Sequence, residues 1–196
     1  MNGMEILGKI LGSPARVRIM RLFLVNRNQN FIGQAVAKRS RTNREVVRRE
    51  LRLLTSIGFT KKRGNSWSFN PTFKYEAEFE DLLLGSDILS QEAILDNFKK
   101  VGRLKLLIIS GIFIKSRDSR ADLLVVGDRL KRGRIEEGIR KIESELGGEL
   151  TYVVFDTKEF LYRLDMYDKL VRDILDYPHE VVLQSKELST QLLKKA

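Results

Sequence analysis

The chain of 196 residues has no cysteine and a single histidine, His179. Those absences remove disulfides, thiolate metal sites and a cysteine nucleophile, and the single histidine argues against a His-based zinc site or catalytic triad. Catalysis, if any, would rest on carboxylates, and neither a resident metal nor a cofactor is expected. No apolar run approaches the roughly 20 residues of a membrane span. Residues 1–10 lack the basic and then apolar layout of a signal peptide. A cytoplasmic protein without membrane contact is the expectation, and 42% apolar with 32% charged residues suits packed domains rather than disorder.

Acids are scarce over the first 75 residues. That stretch holds 16 Lys or Arg against Glu5, Glu45 and Glu50, a balance of +13, while the other 121 residues hold 20 basic and 23 acidic groups, or −3. A polyanion attracts such a surplus through phosphate neutralisation and counterion release. The division predicts two domains, 1–75 and 76–196, each long enough to close a modest core.

Ser13 followed by Pro14 reads as an N-cap with proline at the first helical position, and Val17, Met20 and Leu24 then face a core. A polar connection at 26–30 precedes a short helix over 31–38 and a turn at 39–41. Thr42 and Glu45 have capping-box spacing and open a helix over 43–56, whose buried stripe is Val47, Leu51 and Leu54. Arg44, Arg48, Arg49 and Arg52 fall off that stripe. Gly58 ends the helix, and strands at 59–63 and 66–70 meet at Gly64-Asn65, a pair suited to positive φ. Lys61, Lys62 and Arg63 crowd the hairpin tip, and Trp67 and Phe69 are read as its anchor to the core.

Residues 13–70, about a third of the chain, resemble the winged helix-turn-helix transcriptional regulators of the ArsR and MarR type, most closely over the run from Val47 to Phe59. The resemblance implies that the second helix of the motif enters the major groove of double-stranded DNA while the wing follows the backbone. Asn43, Arg44, Glu45, Arg48, Arg49 and Arg52 would then meet base edges or nearby phosphates, and Lys61, Lys62 and Arg63 would meet phosphates. A homodimer is expected, because operators commonly mirror a two-fold axis.

Past Pro71 the pattern changes. Helices are predicted over 75–84 and 90–100, apolar strands over 104–114 and 122–126, an amphipathic helix over 130–146, a strand over 149–155 and one long helix over 157–177; a short strand and helix complete the tail. The fold class is α+β, with a winged helix-turn-helix domain followed by an α/β domain on a small mixed sheet. Ser110-Gly111-Ile112-Phe113 and the run from Ser119 to Asp128 resemble the minimal nucleotidyltransferases of the DNA polymerase β type, over residues 104 to about 175. That family places Gly-Ser before an Asp-x-Asp pair that holds Mg²⁺ with a third carboxylate.

Here the order is Ser110-Gly111, the first aspartate position is Arg120, and only Asp122 remains of the pair. A guanidinium in place of a carboxylate repels Mg²⁺. The resemblance therefore implies an inactive enzyme domain, with Asp122 vestigial, capping a turn or pairing with Arg120. Ser110, Gly111, Arg120 and Asp122, together with Lys115, Arg117 and Arg129, could still hold a nucleotide or other small-molecule effector. Three readings follow: a DNA-binding transcriptional regulator whose second domain serves dimerisation, ligand sensing or partner binding; an active metal-dependent nucleotidyltransferase targeted by its winged helix; and a protein-interaction adaptor.

Overall fold

A computed structural model describes residues 3–85, 89–114, 116 and 118–193. Among these the chain forms ten α-helices and two sheets, a mixed α+β protein, and divides into two compact units, 1–90 with 140–149 and 91–139 with 150–196. No helix among the described residues is long and apolar enough to cross a membrane.

The first unit comprises α1 (Gly3–Ile10), α2 (Pro14–Val25), β1 (Phe31–Ile32), α3 (Gly33–Arg39), α4 (Arg44–Ser56), β2 (Thr60–Arg63), β3 (Ser66–Phe69) and α5 (Glu76–Leu84). Its antiparallel sheet runs β1-β3-β2. Ser13 caps α2 as its sequence implies, accepting the Arg16 N–H at 3.4 Å. The buried stripe of α4 meets Val17, Met20 and Leu24 of α2 in one core. Phe59 is edge-on to Phe69, Phe73 and Phe79, with centroids 5.4, 5.2 and 6.3 Å apart. Because Phe73, Phe79 and Leu83 pack into this core, the unit runs on to Ser90 instead of stopping at residue 75.

Local structure departs from the sequence pattern at three points in this unit. Residues 31 and 32 are a strand rather than the start of α3, since Phe31 and Ile32 pair with Trp67 and Ser66. The capping box does not form: Asn43 is the N-cap of α4, its Oδ1 accepting the Glu45 N–H at 2.8 Å. Thr42 instead donates to the Ser40 carbonyl at 3.0 Å, pulled back by a turn in which Arg41 adopts φ +48. The N-terminal helix α1 has no counterpart in the expectations.

The second unit holds α6 (Gln91–Asp96), β4 (Arg103–Ile109), β5 (Leu123–Asp128), α7 (Arg132–Leu146), β6 (Tyr152–Asp156), α8 (Thr157–Asp165), α9 (Lys169–Asp176), β7 (Glu180–Gln184) and α10 (Lys186–Leu193), with residues 140–146 of α7 clustering with the first unit. The sheet order is β6-β5-β4-β7, with β5 and β6 parallel and the other pairs antiparallel. A parallel neighbour needs a crossover, which α7 supplies. Leu106, Ile108, Leu124 and Val126 join Phe160, Val171 and Ile174 on one face, while Leu107, Ile109, Leu123 and Val125 are also buried. Burial of both faces explains the unbroken apolar runs.

Strand β4 ends at Ile109, because a 3₁₀ turn at Gly111–Phe113 takes over the run predicted as strand to residue 114. The single helix expected over 157–177 is two helices. Tyr167 at φ +54 breaks it, and Asp168 caps α9 by accepting the N–H groups of Leu170 and Val171 at 3.0 and 3.2 Å.

Candidate nucleic-acid interface

Helix α4 buries Val47, Glu50, Leu51 and Leu54 and leaves Arg44, Glu45, Arg48, Arg49 and Arg52 exposed, with Asn43 exposed at its cap. Glu45 is the one acid on the exposed face of α4. The hairpin of β2 and β3 exposes Lys61, Lys62 and Arg63 around Gly64, whose φ of +56 permits the tight turn and above which a Cβ would meet nothing within 4 Å. The Lys62 ammonium stands 5.0 Å from the Trp67 ring centroid. This contact holds the lysine over half-buried aromatic surface, and Trp67 packs on the core beneath. All nine candidate DNA-contacting residues are thus at the surface, six on α4 and its cap and three on one hairpin strand.

What fixes α4 is a pair of residues without a functional signature in sequence. Glu50, only 1% exposed, accepts from Arg16 Nε of α2 at 2.8 Å and pairs with Arg49 at 3.3 Å. Arg16 also donates to the Leu11 carbonyl at 2.6 Å. The buried carboxylate therefore ties α4 to α2 and steers one of the exposed guanidinium groups. Arg44, Arg48 and Arg52 make no ion pair among the described residues, so their charge is available to an external anion.

A buried cation, Arg21, organises the same unit. Arg21 donates to the carbonyls of Leu83 and Glu145 at 2.8 and 2.9 Å. Burial, only partly offset by the charge of Glu145, lowers its pKa to about 10. Burial likewise raises the Glu145 carboxyl above its ordinary range, against the pull of Arg18, Arg21 and Lys141.

In the second unit, Ser110, Gly111, Arg120 and Asp122 lie at one end of the sheet, where the polar groups of Ser110, Gly111 and Asp122 are satisfied by Ser119 or the backbone. Asp122 Oδ1 accepts the Ile112 N–H at 2.9 Å, and Oδ2 accepts the Thr151 N–H at 2.8 Å. Gly111 has φ +54, and a Cβ there would stand 2.0 Å from Asp122 Oδ1, so only glycine fits. The Ser110 hydroxyl donates to the Pro178 carbonyl at 2.6 Å, which leaves Ser119 as donor in their 2.7 Å contact; the Ser119 oxygen in turn accepts the Gly111 N–H at 3.0 Å.

Arg120 does not pair with Asp122; its Nε lies 3.3 Å from Asp173 Oδ2 of α9. The other acids near the third strand are engaged too: Asp156 caps α8 through the Glu159 N–H at 2.8 Å, and Glu149 pairs with Arg39 at 3.4 Å. Among the described residues no group of three Asp, Glu or His side chains is placed to hold a metal. Lys115 and Arg117 lie outside the described residues. Arg129 follows the far end of β5, away from this cluster, because the strand runs from Leu123 to Asp128 between them. Neither a protein-family model, nor a curated protein, nor a solved structure matches this chain.

Proposed function

We propose that the chain is a DNA-binding transcriptional regulator in which α2, α3, α4 and the β2–β3 hairpin act as a winged helix-turn-helix. The observation that carries this reading is the strongly basic surface of α4 and the hairpin: Arg44, Arg48, Arg49, Arg52, Lys61, Lys62 and Arg63 are exposed against a single exposed acid, Glu45, while Glu50 is buried. Seven like charges repel one another in isolation and become favourable beside phosphates. A solvated face normally mixes signs. A homodimer completes the proposal, placing two copies of α4 in successive major grooves roughly 34 Å apart.

The test is a titration of the full chain with a random-sequence 30-base-pair duplex across a salt series. Binding whose log affinity falls linearly with log salt, by about 0.9 per phosphate neutralised, is expected. No retention at low salt would sink the reading in favour of the protein adaptor.

The second unit, in this proposal, performs no nucleotidyl transfer and serves dimerisation, effector sensing or partner contact. Support comes from the Asp122 carboxylate, both of whose oxygens accept backbone N–H bonds. Replacing Asp122 by Asn turns one acceptor into a donor aimed at an N–H, and should lower stability by about 1–3 kcal/mol in chemical denaturation. The wild type should transfer no label from ATP with Mg²⁺ or Mn²⁺. Label transfer that Asp122→Asn abolishes without loss of stability would restore the active-enzyme reading.

A further inference from the structure

Basic residues of the second unit are concentrated rather than spread. Segments 99–103 and 129–134 contain Lys99, Lys100, Arg103, Arg129, Lys131, Arg132 and Arg134 and no acid, and all seven are exposed. The fold sets the two segments side by side: Arg103 is in register with Asp128, and the Lys131 N–H donates to the Val101 carbonyl at 2.6 Å. Gly102, at φ +134, makes the approach possible, since a Cβ there would stand 2.6 Å from the Arg129 carbonyl oxygen.

Neutralisation within this ridge is partial. Lys99 pairs with Asp96 at 2.5 Å, Arg132 with Glu136 at 3.2 Å and Arg134 with Glu137 at 3.1 Å. Lys100, Arg129 and Lys131 make no ion pair among the described residues. The acid next to them, Asp128, is already held by buried Lys105 at 2.9 Å, which also binds Glu187 at 3.0 Å. The Thr157 hydroxyl and the Lys105 ammonium keep the Asp128 carboxyl below its ordinary range, and hydrogen bonds to Asp128 and Glu187 keep Lys105 above its own. Lys100, Arg129 and Lys131 therefore lack an internal counter-charge.

We propose that this ridge is a second, sequence-independent contact for the phosphate backbone of the nucleic acid that α4 binds. It lies across the length of β5 from Asp122, roughly 17 Å at about 3.3 Å per residue, and so is separate from the Ser110–Asp122 cluster. Phosphodiester is favoured over an anionic membrane because neither segment exposes a large apolar side chain, whereas a membrane-surface site inserts one. The inference rests on the duplex-binding reading.

Its test compares three forms of the full chain on the 30-base-pair duplex: wild type, Lys100→Gln/Lys131→Gln, and Lys158→Gln/Lys169→Gln, which removes two exposed charges elsewhere in the same unit. The first variant should reduce the slope of log affinity against log salt by about two and weaken binding roughly ten- to hundredfold near 0.1 M salt, while the second leaves both unchanged. Equal slopes in all three forms, or equal losses in both variants, would overturn the ridge and leave the α4 reading intact. Phosphatidylserine vesicles that retain wild type but not the first variant, with duplex slopes equal, would reassign the ridge to membranes. A wild type that ignores duplex at every salt concentration removes both proposals together.

Discussion

Arg48→Ala combined with Arg49→Ala should weaken duplex binding by ten- to a thousandfold and lower its salt slope by up to about two. The range follows from two kinds of contact. A guanidinium that neutralises a phosphate contributes about 0.9 to the slope and nothing to sequence preference, whereas one that meets guanine bidentately discriminates by roughly 1–3 kcal/mol. The single variants separate these cases. Arg48 has no ion pair, so its side chain is free to reach either target; Arg49 is tethered at 3.3 Å to buried Glu50 and stays 72% exposed. Arg48→Ala is therefore expected to lose more affinity than Arg49→Ala, because part of the Arg49 charge is already compensated. Fluorescence anisotropy across a salt series reads both quantities. Unchanged affinity in the double variant at low salt would exclude α4 as the docking helix, since removing two cations from a phosphate-contacting face has to reduce counterion release.

The segment that carries this prediction was legible because its signals are local. Ser13-Pro14 starts α2, Gly58 and Gly64-Asn65 end α4 and turn the hairpin, and the Val47, Leu51 and Leu54 stripe separates the buried from the charged face of a single helix. What escaped the sequence depends on partners far along the chain. Two residues make β1 a strand only because Phe31 finds Trp67. The break between α8 and α9 hides inside an intact apolar spacing: Phe160, Val171 and Ile174 are buried, but Tyr167, which a continuous helix would turn inward, is 75% exposed. Arg120 goes to Asp173 instead of to its near neighbour Asp122, whose oxygens the backbone has already taken. The assignment of 140–149 to the first unit could not be read at all, since Ile135, Ile139, Ile142 and Leu146 form one continuous buried stripe along α7. Short-range chemistry punctuates a chain, and long-range pairing reassigns its pieces.

The largest loss of stability should come from Arg21→Ala, at about 3–5 kcal/mol. Arg21 is 2% exposed and ties the end of α5 and the last turn of α7 to α2, through carbonyls 62 and 124 positions away. Alanine removes both donors and leaves a large cavity against buried carbonyls. Arg21→Met separates volume from charge. Burial lowers the guanidinium from its ordinary value to about 10, which is a cost of about 3 kcal/mol for keeping it charged at neutral pH. Methionine fills most of the space without that cost but forfeits two charge-assisted bonds worth about 1.5–3 kcal/mol each. The opposing terms partly cancel, so Met should destabilise by no more than about 3 kcal/mol. A depressed folded-state pKa stabilises only above the unfolded value, and that contribution is gone once the pH falls below about 10. Trp67, the only tryptophan and a residue of the first unit, gives a fluorescence signal for urea unfolding that reports on this unit alone. Equal losses for Ala and Met would show that the two hydrogen bonds dominate and that burial of the charge is nearly free; a loss under about 1 kcal/mol for Ala would remove Arg21 as the tie between these helices.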